Sequence, residues 1–546
     1  MCFPHRTFRT LVFKPIRKND EYASSPSITT ISSSISEPRS FSFFSTTSVW
    51  LFVFLLATIA WTAIFPDVIH ANHGFGADGL RYAQWIPQFP KVLLDHSISP
   101  YYIQRTLVSA QAHYVMKALK ISFSDRNILN YMEIYQAGIK LACLATWLAI
   151  SSHLKLSRRA TVLGFVAFFV NFPMLKLYSY YPMLLDNTAM LLGLLCLYFY
   201  LTDSLLPLLL VSVAGSLVYP TTVVMAPLLI LLPKRFKVEF TSSIQWAVVL
   251  PIVLYSLAYA TGCYYVYYVV DEPVTSIAAP VRGLLPLSIF IVTLYNVGAL
   301  SCALAKVRFN LTQLFAVESR INWQRWAGAG FLLLFHLYLT HCLAAPKEYP
   351  LLLHQMQMHY FWVSTTRPLQ FLIAHIIYFG PFVATLALTY QKVAEESAKL
   401  GVGALAVFAF CIALSIDSES RHLVNILPFV VVPFIVALDK MRTRSSFVIE
   451  MFVSSLIVSR FWLPINLFCP ALSPPVNAEF PFFAEDYSGV PYFLRMPYAL
   501  YFVNFGPFTS NSVLLIVFCI TVAVLPVLQP HPMRESWMRK FWTLAK

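Results

Sequence analysis

Three short stretches carry residue types able to do chemistry. Asp78 sits among Gly76, Ala77 and Gly79, small residues that leave its carboxylate open to a ligand. There it can act as a general base, taking a proton from a hydroxyl or amine; the alternative is a solvated Asp capping a helix that begins at Gly79. Asp186, in YSYYPMLLDNTAMLLGLL, falls a few residues inside an apolar run, where a carboxylate is costly and needs a partner. Its alternative is a helix-start Asp within reach of interface water. The segment SIDSESRHLVNILPFVVVPFIVAL packs Asp417, Glu419, Arg421 and His422 into a very short loop. An arginine there offers a planar fork of donors suited to phosphate or carboxylate. Arg105, Arg282, Arg367 and Arg495 are predicted on the same face, and an anionic ligand held by two or three of these guanidiniums accounts for them. The competing account is loop salt bridges to Asp271, Glu272, Glu348 or Asp486. His70, His73, His354 and His359 could join Asp78 on a metal, but no HxxxH or HExxH pairing is present, and the i, i+5 spacing of His354 and His359 does not share a helix face. P-loop, GxSxG and dinucleotide fingerprints are missing.

The elements that must position these groups are membrane helices. Of 546 residues 58% are apolar or aromatic and 12% are charged, with a mean hydropathy of +0.65. Soluble chains carry about 25% charged residues. A soluble enzyme, a disordered chain and a disulfide-stapled module are therefore excluded. The apolar runs are continuous, which points to helices; transmembrane strands would alternate in segments of about ten residues. The net charge of +14 comes mostly from short loops between apolar runs, so it marks a cytoplasmic face, and no nucleic-acid partner is expected. Nine cysteines without CxxC spacing read as apolar packing residues.

Residues 1–47 are basic and Ser/Thr-rich and read as a disordered cytoplasmic tail; 48–528 form the multi-span domain and 529–546 a second basic tail. After the run at 48–65, further runs lie at about 131–150, 160–176, 182–201, 205–218, 220–232, 244–270, 284–305, 327–345, 368–390, 402–416, 422–438, 446–463 and 510–528. The stretch 205–232 is one tilted helix or two folded back at Tyr219-Pro220. Charge favours the pair. With both termini cytoplasmic, the loops bearing Lys155/Arg158/Arg159, Lys234/Arg235/Lys237, Lys306/Arg308/Arg320/Arg325 and Lys440/Arg442/Arg444 all fall on one side. The expected fold class is thus an all-α polytopic membrane protein of about 12–14 transmembrane helices. The sequon at Asn310 then faces the cytoplasm. Longer loops at 66–130, 346–367 and 464–509 open on the other face, the first carrying short amphipathic helices.

Several features together resemble the GT-C superfamily of integral membrane glycosyltransferases, which includes protein O-mannosyltransferases and aminoarabinose transferases. An acidic residue soon after the first span looks like GADGLRY with Asp78. A second Asp near the start of a later span looks like YYPMLLDNTAMLL with Asp186. The phrase SRHLVNILPF, with Arg421 and Pro428, is similar to the family's RYLLPxLP-like opening of a late span, with His422 where an aromatic residue is usual. The chain departs in having a single Asp after span one and no large soluble C-terminal domain. The resemblance implies transfer of a sugar from a polyprenyl-phosphate donor to an acceptor, in the bacterial inner membrane or the endoplasmic reticulum. Asp78 would take the acceptor proton, and Arg421 with Arg105 or Arg367 would hold the departing phosphate. Asp186 would orient the acceptor or a divalent cation, should one take part. The rivals are a transporter or flippase of a lipid-linked or anionic substrate, and a non-catalytic membrane scaffold. Expected partners are the lipid-linked donor and membrane lipids.

Overall fold

Continuous runs of Leu, Val, Phe and Ala fold as helices because backbone groups shielded by apolar side chains must hydrogen-bond within their own segment. The structure, a computed structural model, describes residues 45–462 except 67–70, 77, 237, 268–281, 310–319, 346–359, 362–363, 366–367, 442–444 and 460. The predicted tails apart from residues 45–47, the loop 464–509, the last run at 510–528 and the Asn310 sequon lie outside the described residues; 45–47 belong to the start of the first helix and not to a tail.

Helix α1 (Thr46–Ile64) starts at Ser45, whose hydroxyl accepts from the Ser48 N–H at 3.2 Å. Four short helices follow: α2 (Asp78–Gln88), α3 (Lys91–Leu94), α4 (Pro100–Ile103) and α5 (Leu107–Ala118). In α2 the buried residues Gly79, Tyr82, Ala83 and Ile86 recur at helical spacing, so one face packs inward. Helix α6 (Asp125–His153) is capped by the Ser124 hydroxyl and runs 29 residues, several residues beyond each end of the predicted run.

Polar and Pro-containing breaks shape the next stretch. Helix α7 (Arg158–Phe169) gives way before Pro173 to a π-turn and the short α8 (Tyr178–Tyr180), with a bend of 61°. Asn171 bridges the break, donating to the Ala167 carbonyl at 2.9 Å and accepting from the Met174 N–H at 3.1 Å. Helix α9 (Asp186–Leu201) is followed by α10 (Leu205–Ser216) and α11 (Thr222–Leu231), two separate helices joined through Tyr219-Pro220. A strand β1 (Val238–Phe240) precedes α12 (Trp246–Tyr265) and α13 (Leu285–Leu304), and β2 (Val307–Phe309) pairs with β1 antiparallel, Val238 opposite Phe309. This small ladder of β-branched and aromatic residues is the one departure from an all-α chain among the described residues.

Helix α14 (Arg320–Leu337) continues through a π-turn to Leu343. The predicted run 368–390 is not one helix. It divides into α15 (Gln370–Phe379) and α16 (Phe382–Leu400), bent by 110°, because Gly380 takes φ +103° and Pro381 cannot extend the hydrogen-bond ladder. Helices α17 (Val402–Leu414), α18 (Pro428–Lys440) and α19 (Ser445–Ser459) complete the described chain. The run predicted from 422 starts as a helix only at Pro428, after one 3-10 turn at Ser420–Leu423.

Among the described residues five helices are long and apolar enough to cross a membrane, and up to seven spans result if each bent pair counts as one. The remaining apolar helices have 10–17 residues, shorter than the ~20 needed to span alone. The chain is therefore a helical, multi-pass type of fold, and 12–14 full spans exceed what the described residues supply. The core holds Trp147, Phe165, Phe168, Phe169, Tyr378 and Phe408, all fully buried. Leu250, Leu254, Phe290, Leu294 and Leu334 are exposed along α12–α14, an outward apolar surface of the kind lipid covers.

Candidate functional site

Asp78 is the first residue of α2, one position earlier than the helix start read from the sequence. The flanking glycines do not open a path to its carboxylate. A Cβ on Gly76, at φ +70°, would sit 2.4 Å from the Tyr181 ring, and one on Gly79 would sit 2.5 Å from Met183. The Tyr181 hydroxyl accepts from the Gly79 N–H at 2.9 Å. The small residues thus let Tyr181 clamp the start of α2, and this fixes where Asp78 points.

Its carboxylate points at two guanidiniums. Arg421 Nη2 lies 3.5 Å and Arg105 Nη1 3.9 Å from Asp78 Oδ2, while the Tyr102 hydroxyl donates to Asp78 Oδ1 at 3.1 Å. Burial first, and the Asp78 charge second, push Tyr102 above the usual phenol range, so its hydroxyl keeps its proton and donates. Arg105 follows α4, only 6% exposed, with its guanidinium 4.0 Å over the Tyr101 ring and Nη1 donating to the Tyr82 hydroxyl at 3.3 Å. Its Nε has no hydrogen-bond partner among the described residues.

Arg421 comes from the loop between α17 and α18. Its Nε donates to Glu419 Oε1. Burial opposes the Arg421 charge, but Glu419, Asp78 and Asp186 outweigh it and hold the guanidinium more firmly charged than in water. Asp417 accepts from the Glu419 N–H at 2.8 Å and pairs with His422 Nδ1 at 2.6 Å. His422 Nε2 lies 3.6 Å from Glu419 Oε2. Burial lowers the His422 pKa, yet the carboxylates of Glu419 and Asp417 prevail and raise it above the ordinary imidazole value. His375 on α15 pins the same loop, with Nε2 donating to the Ser415 carbonyl at 2.6 Å and Nδ1 facing the Ser420 hydroxyl at 2.8 Å. Because a carbonyl only accepts, Nε2 carries the proton and Ser420 donates to Nδ1.

Asp186 begins α9, buried one layer behind. The Tyr219 hydroxyl lies 3.4 Å from Asp186 Oδ1 and 2.6 Å from the Arg421 carbonyl, linking the two. A second link is a backbone approach: a Cβ on Gly193 would stand 1.9 Å from the Asn425 carbonyl oxygen, so only glycine lets α9 lie against the loop that follows Arg421.

Asp78, Arg105, Asp186 and Arg421 therefore converge. Arg367 and Arg495 lie outside the described residues, as does the side chain of Arg282. So do Asp271, Glu272, Glu348 and Asp486, the carboxylates expected as alternative partners; the partners found for Arg421 are Asp78 and Glu419. His70, His354 and His359 also lie outside, and His73 meets Asp125 on the surface at 3.2 Å. A divalent cation does not suit this donor set. Asp78 faces two cations, Asp186 faces the Tyr219 hydroxyl, and no group of three His, Cys, Asp or Glu residues with metal-binding geometry occurs among the described residues. Sequence reasoning overlooked Tyr102 and Tyr219. Its one available signal was Tyr219-Pro220, read only as a helix break.

The arrangement presents two forked cations and a carboxylate at a partly exposed position, Asp78 being 21% and Arg421 17% exposed. It can hold a monoanionic phosphate between guanidiniums and take up a proton beside it. No protein-family model, curated protein or solved structure matches this chain.

Proposed function

We propose that the chain is a membrane glycosyltransferase that moves a sugar from a polyprenyl-phosphate donor to an acceptor on the non-cytoplasmic face. The observation that carries this reading is the junction at Asp78 Oδ2, where Arg421 approaches to 3.5 Å and Arg105 to 3.9 Å from segments far apart in sequence. A lipid-linked donor needs cationic groups for its phosphate beside apolar surface for its chain, and Arg105 and Arg421 are the cations this reading assigns to the phosphate.

In the proposed step the acceptor oxygen or nitrogen bonds to the anomeric carbon as the bond from that carbon to the donor phosphate breaks. The acceptor proton passes to Asp78. Charge developing on the departing phosphate is met by Arg421 and Arg105, fixed dipoles and charges being most effective where they need no reorganisation. Tyr102 keeps the Asp78 carboxylate oriented, and Asp186 with Tyr219 holds the Arg421 backbone. Arg367 is a further candidate phosphate ligand on the resemblance alone.

The test is mass analysis of lipids and glycans from cells with the intact gene, without it, and with Asp78→Asn. Loss of one glycosylated product with accumulation of its lipid-linked donor, in both the deletion and the variant, is the expected result. Removing a general base slows the reaction by about 10²–10⁴-fold. Unchanged product in the Asp78→Asn cells rejects the base assignment. Movement of an unmodified substrate across sealed vesicles makes the chain a transporter instead.

A further inference from the structure

Four tyrosines commit their hydroxyls inside the site. Tyr82 accepts from Arg105 Nη1 at 3.3 Å, Tyr181 accepts from the Gly79 N–H at 2.9 Å, Tyr102 donates to Asp78 Oδ1 at 3.1 Å and Tyr219 donates to the Arg421 carbonyl at 2.6 Å. Tyr101 is different. Its hydroxyl makes no hydrogen bond to any described residue, and the oxygen is not sealed from the surface. The side chain is nonetheless fixed: its ring packs against the Arg105 guanidinium at 4.0 Å and meets the Tyr102 ring edge-on, with centroids 4.9 Å apart. A second donor beside it is also unspent. Arg105 Nε, on a side chain only 6% exposed, has no hydrogen-bond partner among the described residues. A buried donor left unpaired costs free energy, and a further unpaired donor on the ring stacked against it calls for an acceptor brought by a ligand.

We propose that Tyr101 is the neutral donor of the anion site, its hydroxyl hydrogen-bonding a phosphate oxygen that Arg105 and Arg421 hold. The inference rests on the reading of this cluster as a phosphate site and adds a ligand-contacting residue to it. Location supports the role, since the charges of Arg105, Asp78, Arg421 and Glu419 all act on the Tyr101 hydroxyl. So does its protonation state. Burial raises its pKa above the usual phenol value, so the group stays an O–H and can donate. An ionised phenol would repel phosphate. The ring has a second task, because a guanidinium stacked on it is held from swinging away from the site. A third cation at this position would draw Asp78 away from Arg421. A neutral O–H adds a bond to phosphate and leaves that pairing intact.

The experiment titrates the detergent-purified full chain with dihexyl phosphate, a diester carrying one fixed negative charge, and with trihexyl phosphate, its neutral counterpart. The wild type should bind the diester, and the triester no more than detergent background. Tyr101→Phe deletes the hydroxyl and keeps the ring. It should bind the diester about tenfold more weakly, the factor that one hydrogen bond to a charged group supplies. Its unfolding temperature without ligand should match the wild type, because the lost hydroxyl has no partner inside the protein. Tyr101→Leu should weaken binding further, since Arg105 then loses its support. Equal diester affinity in Tyr101→Phe and the wild type overturns the proposal; if Tyr101→Leu alone then weakens binding, Tyr101 is only a prop for Arg105. A lowered unfolding temperature in Tyr101→Phe overturns it as well, by placing the partner of the hydroxyl within the chain. Wild-type binding that does not depend on the ligand's charge removes the phosphate site and this inference together. The transferase reading fails separately. A tenfold loss in Tyr101→Phe with no transfer product in cells leaves this assignment standing, and Asp78-dependent transfer with unaltered binding in Tyr101→Phe sinks it alone.

Discussion

Two clusters of ionic contacts sit at opposite ends of α18, and they are built differently. At the Lys440 end, Glu396 on α16 takes Lys399 at 2.8 Å and Lys440 at 2.5 Å, and both lysines are more than half exposed. Asp439 beside it accepts from the N–H and hydroxyl of Ser157, tying α18 to the start of α7. At the Arg421 end the cations are arginines, each shielded and each bound to more than one group. Flexible point charges in water join helix ends cheaply and can be replaced. Planar forks shielded from water hold several partners in fixed directions, and a ligand can enter only by substituting for one of them. The first cluster is fastening; the second has the form of a binding site.

Substitutions can break or sharpen this contrast. The largest effect belongs to Arg421→Met, which leaves Glu419 and Asp78 without their shared cation. We expect a stability loss of about 3–5 kcal/mol, seen as a lowered unfolding temperature in detergent. A change below about 1 kcal/mol would erase the distinction between the two ends. Gly193→Ala comes next, since its methyl meets the Asn425 backbone and not a side chain that can turn away. Overpacking of this kind costs about 1–3 kcal/mol, seen in the same unfolding measurement.

A smaller effect should follow pH. His422 has a raised pKa, so the stability it contributes is complete below the unfolded value of about 6.5 and is lost as pH rises through the higher folded value. The unfolding temperature should fall across that window, and His422→Gln should remove this component. An unaltered pH profile in the variant would mean that the imidazolium is not held by Glu419 and Asp417. Smallest of all is Lys440→Ala, a change in a mostly exposed pair, with an expected loss within about 1 kcal/mol by the same unfolding measurement. A loss matching that of Arg421→Met would make both ends equally structural.

Asp78, Asp186 and Arg421 stand out in the sequence because a charge next to a long apolar run is rare and demands a partner. The partners themselves do not stand out. Tyr102 and Tyr219 are two among 29 tyrosines, and only the packing of α4 and of the α10–α11 turn brings their hydroxyls to a carboxylate. Gly76 and Gly79 suggest an open loop when read along the chain; in three dimensions the space they leave is filled by Tyr181 and Met183. The break at Gly380-Pro381 carries a visible turn signal in its Gly-Pro pair, but the run 368–390 reads as one helix by hydropathy, which does not register a bend of 110°.

Composition and apolar run length, by themselves, determined that this chain is helical and multi-pass, since a lipid-covered backbone has few ways to satisfy its hydrogen bonds. They also singled out the charges too expensive to be incidental. Only the tertiary structure decided which of those charges meet. Contacts of 3–4 Å between residues hundreds of positions apart depend on helix bends, a glycine contact and tyrosine clamps, none of which leaves a periodic trace in the sequence.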